Sequence, residues 1–155
     1  MPAPPVVETE PRRRWLSILA KATPGEVTAA WEGLARQPDY RVLRTPEIGM
    51  VMVRGRMGGT GDAFNVGEMT VTRAAVRLDT GAAGIGYVAG RDRRHAEIAA
   101  VVDAMMQSPD LRPVAEGIVD PLETAQRQRR EAAARKAAAT KVDFFTMVRT
   151  RGPAS

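Results

Sequence analysis

Apolar residues first recur with a helical period. Trp15, Ile18, Leu19 and Ala22 fall on one face of a helix over 12–22. Thr23-Pro24-Gly25-Glu26 then supplies an N-cap threonine, proline in the first turn and a glutamate that can reach back to the cap, so a second helix is expected to about Arg36. From Tyr40 the pattern becomes extended: Tyr40–Thr45 and Met50–Val53 read as two strands joined by a Pro46–Gly49 turn. Met69–Leu78 and Ile85–Val88 read as two more, separated by the turn residues Asp79-Thr80-Gly81. Asp92 is placed to cap a third helix, in which Ile98, Val101, Val102 and Met105 form an i, i+3, i+4, i+7 stripe that needs a sheet beneath it.

Asp120-Pro121-Leu122-Glu123 repeats the capping-box pattern and is expected to open a helix through Ala139. That helix is rich in Ala, Arg, Gln and Glu, so its propensity is high and its large apolar surface small. Val142–Val148 reads as a strand-like or extended arm, with Phe144, Phe145 and Met147 as candidates for docking on a partner. The expected fold class is α+β: a four-stranded antiparallel sheet covered by helices, followed by a C-terminal helix and an extended arm. Residues 1–11 read as a disordered Pro-rich leader, 12–149 as one domain and 150–155 as a flexible tail.

Composition narrows the chemistry. The 155 residues are 44% hydrophobic and 26% charged, an ordinary globular balance. No cysteine is present and His95 is the only histidine, so disulfides and thiolate chemistry are excluded and a metal site or nucleophilic triad would have to be built around one imidazole. The residues show neither a secretory signal nor a membrane span, and a cytoplasmic location is expected. A net charge of +5 attracts polyanions. All but three of the 23 basic residues (Lys21, Lys136 and Lys141 excepted) are arginine, suited to bidentate contacts with phosphate or carboxylate. The basic C-terminal helix lacks interleaved aromatics, and neither a helix-turn-helix nor a zinc-finger pattern is present, so nucleic acid is not the expected partner.

Three places carry candidate chemistry. In Arg56-Met57-Gly58-Gly59-Thr60-Gly61 the backbone at Gly58, Gly59 and Gly61 could converge N–H groups on an anion beside Arg56, although glycine-rich turns are common and spacing alone favours a plain hairpin loop. The loop lacks the Gly-Lys-Ser/Thr ending and the following helix of a P-loop. Arg73 and Arg77 would share one face of an unbulged strand about 13 Å apart and could line a groove, although a charged strand face is more often solvated or paired with a partner's carboxylates. Arg91 and His95 flank a helix N-terminus that could receive an anion, against the alternative that His95 is a hydrogen-bonding residue of the fold.

Read in order, the strings Arg56–Gly61, Thr72–Leu78, Gly90-Arg91-Asp92 with His95-Ala96-Glu97, and Val142–Arg149 resemble the PhnG family of the carbon–phosphorus lyase system over about residues 12–149. The resemblance implies a subunit acting with PhnI, PhnH and PhnL to transfer the ribose 5-triphosphate of ATP to an alkylphosphonate such as methylphosphonate, releasing adenine. It implies a two-fold symmetric hetero-oligomer that also holds PhnJ and, as a further candidate, PhnK, with the nucleosidase core in PhnI. ATP, with magnesium, would be a substrate of that complex rather than a cofactor of this chain. The family carries no catalytic residue over to a position of this chain, and activity of the chain alone is not expected. A purely structural scaffold and a basic nucleic-acid-binding module are the competing readings.

Overall fold

A computed structural model describes residues 9–56 and 61–150, with side chains described except at Thr9, Asn65 and 142–150. In chain order the elements are α1 (Thr9–Lys21), α2 (Pro24–Glu32), β1 (Tyr40–Arg56), β2 (Ala63–Leu78), β3 (Ala83–Ala89), α3 (Arg93–Met106) and α4 (Arg112–Thr150). The α+β class and the antiparallel sheet are as expected. The strands lie in the order β1-β2-β3, with α3 packed against β2 and β3 and the other helices grouped around α3. Residues 1–8 and 151–155 lie outside the described residues. Thr9–Pro11, expected in the leader, form the first turn of α1, where proline's missing N–H costs nothing.

All four strand runs are in the sheet, but the first two form a single bent strand. Along β1, Val42 faces Val76, Arg44 faces Ala75 and Glu47 faces Arg73, so Leu43 and one residue of the Thr45-Pro46 pair are extra. The bulge takes up Pro46, which has no ladder N–H to donate, and β1 is an edge strand where proline is tolerated. The expected Pro46–Gly49 turn is therefore a kink within a 17-residue strand. Near the other end Val53 faces Gly67 and Arg54 faces Asn65, which makes Val66 the extra residue on β2.

The core lies between the sheet and α3. Trp15, Leu19, Val27, Trp31, Val76, Leu78, Val88, Ile98 and Met105 are buried in one cluster, each large aliphatic contributing about 1.5–3 kcal/mol relative to exposure. Gly84 and Gly86 on the inner face of β3 let α3 approach at backbone distance. A Cβ on Gly84 would lie 2.0 Å from the Ala100 carbonyl oxygen, and one on Gly86 would lie 1.9 Å from that of Ala96. Ala96, Ala100 and Ala104, one helical turn apart, complete this close seam.

A buried carboxylate ties three elements together. Asp103 of α3 accepts from Arg12 Nε and Nη2 at 3.2 and 2.9 Å, from Trp15 Nε1 at 2.8 Å and from the Ile85 backbone N–H at 2.9 Å. Its side chain is fully enclosed, and the Arg12 guanidinium, hydrogen-bonded to it, is held above its ordinary pKa. Four donors compensate the removal of this charge from water.

The C-terminal helix departs from expectation at both ends. It begins at Arg112, with Pro121 inside it, because Ala115, Ile118, Val119 and Leu122 form an i, i+3, i+4, i+7 stripe that is buried against the domain. That packing outweighs the hydrogen bond Pro121 cannot make. Glu123 of the expected capping box is instead bonded to Arg14 of α1. Gln126 Nε2 donates to the Ile18 carbonyl at 2.7 Å, and Arg129 pairs with Glu26. Val142–Val148 continues the helix rather than forming an extended arm, since each added residue of an established helix gains a hydrogen bond without a new nucleation cost. The side chains of Phe144, Phe145 and Met147 lie outside the described ones. The 39-residue helix is about 58 Å long, and residues 127–141 are exposed throughout, in keeping with the small apolar surface read from their composition.

Candidate functional site

Strand alternation divides the sheet into a helix-covered face and an open one. Ala74, Val76 and Leu78 point into the core, whereas Arg73 and Arg77 are exposed on the opposite face. Their neighbours follow from the register: Arg73 lies between Glu47 of β1 and Tyr87 of β3, and Arg77 between Arg41 of β1 and Ala83 of β3. Arg44 faces Ala75 on the same surface and its Nε is 3.3 Å from Glu47. The open face thus gathers Arg41, Arg44, Arg73 and Arg77, with Glu47 the single carboxylate among these paired positions. Directly opposed side chains in a ladder have Cβ atoms about 5 Å apart, so Arg41 and Arg77 repel unless an anion lies between or beside them. Towards β3 the face runs past Ile85 and Tyr87 into a groove under α1 that Arg12 and Arg13 also line.

Arg41 and Arg44 were not among the residues singled out from the sequence. Three positions apart, they would point to opposite faces of a regular strand. The extra residue Leu43 turns both to the side of Arg73 and Arg77. The sequence shows that bulge only indirectly, through the neighbouring Pro46.

The other candidates do not join this cluster. Arg56 faces Ala63 at the far end of the β1–β2 ribbon, on the order of 30 Å along β2 from Arg73. Gly61 lies in a bend just before β2; Gly58 and Gly59 lie outside the described residues. Arg91 is exposed and follows Gly90, whose φ of +95° turns the chain into α3. The N-terminus of α3 already has a carboxylate, since Asp92 accepts from the His95 N–H at 2.8 Å. The His95 ring is buried, with Nε2 2.7 Å from the Leu19 carbonyl oxygen. That contact makes Nε2 the protonated nitrogen and caps a carbonyl in the last turn of α1, beside the Ile18 carbonyl taken by Gln126. His95→Ala is expected to cost about 1–3 kcal/mol of stability, read by urea unfolding, because it strips a buried carbonyl of its partner.

This arrangement determines what the face can do. Guanidinium groups stay protonated at any physiological pH, so they hold and polarise phosphate or carboxylate oxygens and do not shuttle protons. Among the described residues no three His, Cys, Asp or Glu side chains come together to hold a metal ion, and no helix is long and apolar enough to cross a membrane. Fold and face together define an α+β protein with a basic, exposed sheet surface among the described residues.

Comparison with known proteins agrees on a particular family. The family model described as phosphonate metabolism protein PhnG matches residues 10–150. The chain is 45% identical over 138 residues, covering 89% of its length and 88% of the relative's, to the alpha-D-ribose 1-methylphosphonate 5-triphosphate synthase subunit PhnG of Rhizobium meliloti (strain 1021). The chain belongs to the PhnG family.

Proposed function

We propose that this chain is an assembly-dependent subunit of an α-D-ribose 1-methylphosphonate 5-triphosphate synthase, and that its open sheet face holds an anionic group of the substrates. The observation that carries the reading is the near full-length similarity to a relative named as a subunit of that synthase. In the reaction, a phosphonate oxygen forms a bond to the anomeric carbon of ATP as the bond to adenine breaks. The electron pair leaves with adenine, which takes up a proton, and the triphosphate remains on the 5-carbon. The demands are anion binding and stabilisation of positive charge developing on the ribose. Arg41, Arg44, Arg73 and Arg77 suit the first of these, with the magnesium–triphosphate or the phosphonate as ligand.

The chemistry that breaks the glycosidic bond is assigned to a companion, PhnI, with PhnH and PhnL in the same step and PhnJ and PhnK in the wider two-fold assembly in the cytoplasm. The lone histidine, enclosed in the fold, supports that division of labour. A scaffold role without substrate contact is the second reading, favoured by the exposed span 127–141 of α4.

Arg73→Ala/Arg77→Ala in the co-expressed complex separates the two. The expected result is wild-type yield of complex with adenine release reduced at least about tenfold, since each lost charged hydrogen bond is worth about 1.5–3 kcal/mol. Normal yield with normal turnover would remove these arginines from substrate binding. Loss of the complex itself would assign them to a subunit interface.

A further inference from the structure

β3 pairs with β2 only over residues 71–77, so from Thr70 back to Ala63 the sheet is reduced to two strands. Met50–Arg56 and Ala63–Thr70 project past the body of the domain as a ribbon. Isolated two-stranded ribbons are marginal in water and survive when an apolar face is covered. Here it is not covered. On the side continuing the helix-covered face lie Ile48, Met50 and Met52, opposite Thr72, Thr70 and Glu68. On the other side are Val51, Val53, Phe64, Val66 and Met69. Met50, Met52 and Val66 are 64%, 60% and 62% exposed. Single exposed apolar side chains are ordinary, but this contiguous set marks an interaction surface. The methionines add side chains that adapt to an irregular partner.

Charge selects the occupant. The strands that carry the ribbon bear Arg41, Arg44, Arg54, Arg56, Arg73 and Arg77 against Glu47 and Glu68, so a second copy would bring like charge to like. We propose that the β1–β2 ribbon is a docking arm that inserts into an apolar groove rimmed by carboxylates on a different subunit of the assembly. The outer edge of β1, which no strand of this sheet covers, is available to extend the ladder into that partner. The proposal rests on the reading of the chain as an assembly subunit.

The test is Met50→Ser/Met52→Ser in the full-length chain, alone and co-expressed with the companion subunits. Both side chains are exposed, so the isolated variant is expected to keep the wild-type circular dichroism and a Tm within about 2 °C. Its recovery on a tagged companion subunit should fall at least about tenfold. Arg54→Glu/Arg56→Glu should weaken recovery by a similar factor. As a measurement independent of any variant, wild-type amides of 48–53 should exchange with deuterium at least about tenfold more slowly in the complex than in the free chain. Wild-type recovery of both variants, or unchanged exchange at 48–53, overturns the arm while leaving the subunit reading intact. A wild-type chain that joins no companion overturns the subunit reading and the arm with it. Dimerisation of the isolated chain that the double serine variant abolishes would make a second copy the occupant and overturn the proposal as stated.

Discussion

Gly86→Ala is expected to destabilise the domain by about 3 kcal/mol or more, one of the largest effects available to a single methyl group. The added Cβ would stand 1.9 Å from the Ala96 carbonyl oxygen and 2.9 Å from its carbonyl carbon. These are backbone atoms in the first turns of α3, so no side-chain rotation relieves the overlap and the helix must lift from the sheet. Lifting it opens the seam along Ala96, Ala100 and Ala104 and loosens the core that α3 shares with α1, α2 and α4. Gly84→Ala should behave similarly, its Cβ falling 2.0 Å from the Ala100 carbonyl oxygen and 2.6 Å from the Ala104 nitrogen. For a domain of this size the loss corresponds to a Tm lower by roughly 6–12 °C. Gly117→Ala is the control: nothing lies within 4 Å of its Cβ, and in a helix interior alanine should stabilise by about 0.5–1 kcal/mol. A Gly86→Ala variant within 1 kcal/mol of wild type in urea unfolding would mean that α3 is not seated on β3 at this distance.

Asp103→Ala is expected to cost about 3–5 kcal/mol, the range for breaking a buried ion pair by removing one partner. The substitution leaves Trp15 Nε1 and the Ile85 N–H without an acceptor and Arg12 without its counter-charge. It also disconnects α1 and β3 from α3 at a single point. Asp103→Asn keeps the shape but replaces one acceptor by an NH2 group, which must then face one of the same donors, so it should recover only part of the loss. Trp15 sits on this carboxylate, so tryptophan fluorescence reports the site while urea unfolding measures the energy. A cycle with Arg12→Ala should return a coupling of about 0.5–3 kcal/mol. Additivity of the two substitutions, or an Asp103→Ala loss below 1 kcal/mol, would show that the cluster does not tie α1 to α3.

Asp103 and the two glycines were both visible in the sequence without their meaning being legible there. Ile98, Val101, Val102 and Met105 announce the buried stripe of α3 by periodicity alone. Asp103 lies beside that stripe as a charge that periodicity would send to solvent, and only its four distant donors, from Arg12, Trp15 and Ile85, make it part of the core. Similarly, Gly84 and Gly86 read as weak strand residues until the alanines of α3 are seen against them. Arg73 and Arg77 were legible as a pair because strand alternation is local. Arg41 and Arg44 were not, because their side depends on a bulge set by pairing with β2.

Errors at the ends of α4 have a matching cause. Asp120-Pro121-Leu122-Glu123 satisfies the local rules for a helix start, yet the apolar stripe from Ala115 to Leu122 carries the helix straight through it. The stripe had the right period in the sequence, but a proline with an acidic cap was the stronger local signal.

The sequence by itself determined the helix and strand periods, the capping of α2 and α3, the absence of thiol and multi-histidine chemistry, and the four strings that identify the family. Each of these depends on residues near one another in the chain or on residue types alone. Only the tertiary structure decided that two strand runs are one bent edge strand, that His95 caps α1 from inside the core, that four arginines share the open face, and that an apolar ribbon stands beyond the sheet. Those outcomes turn on pairing register and burial between residues far apart in the chain, where a one-residue slip moves a side chain to the opposite face.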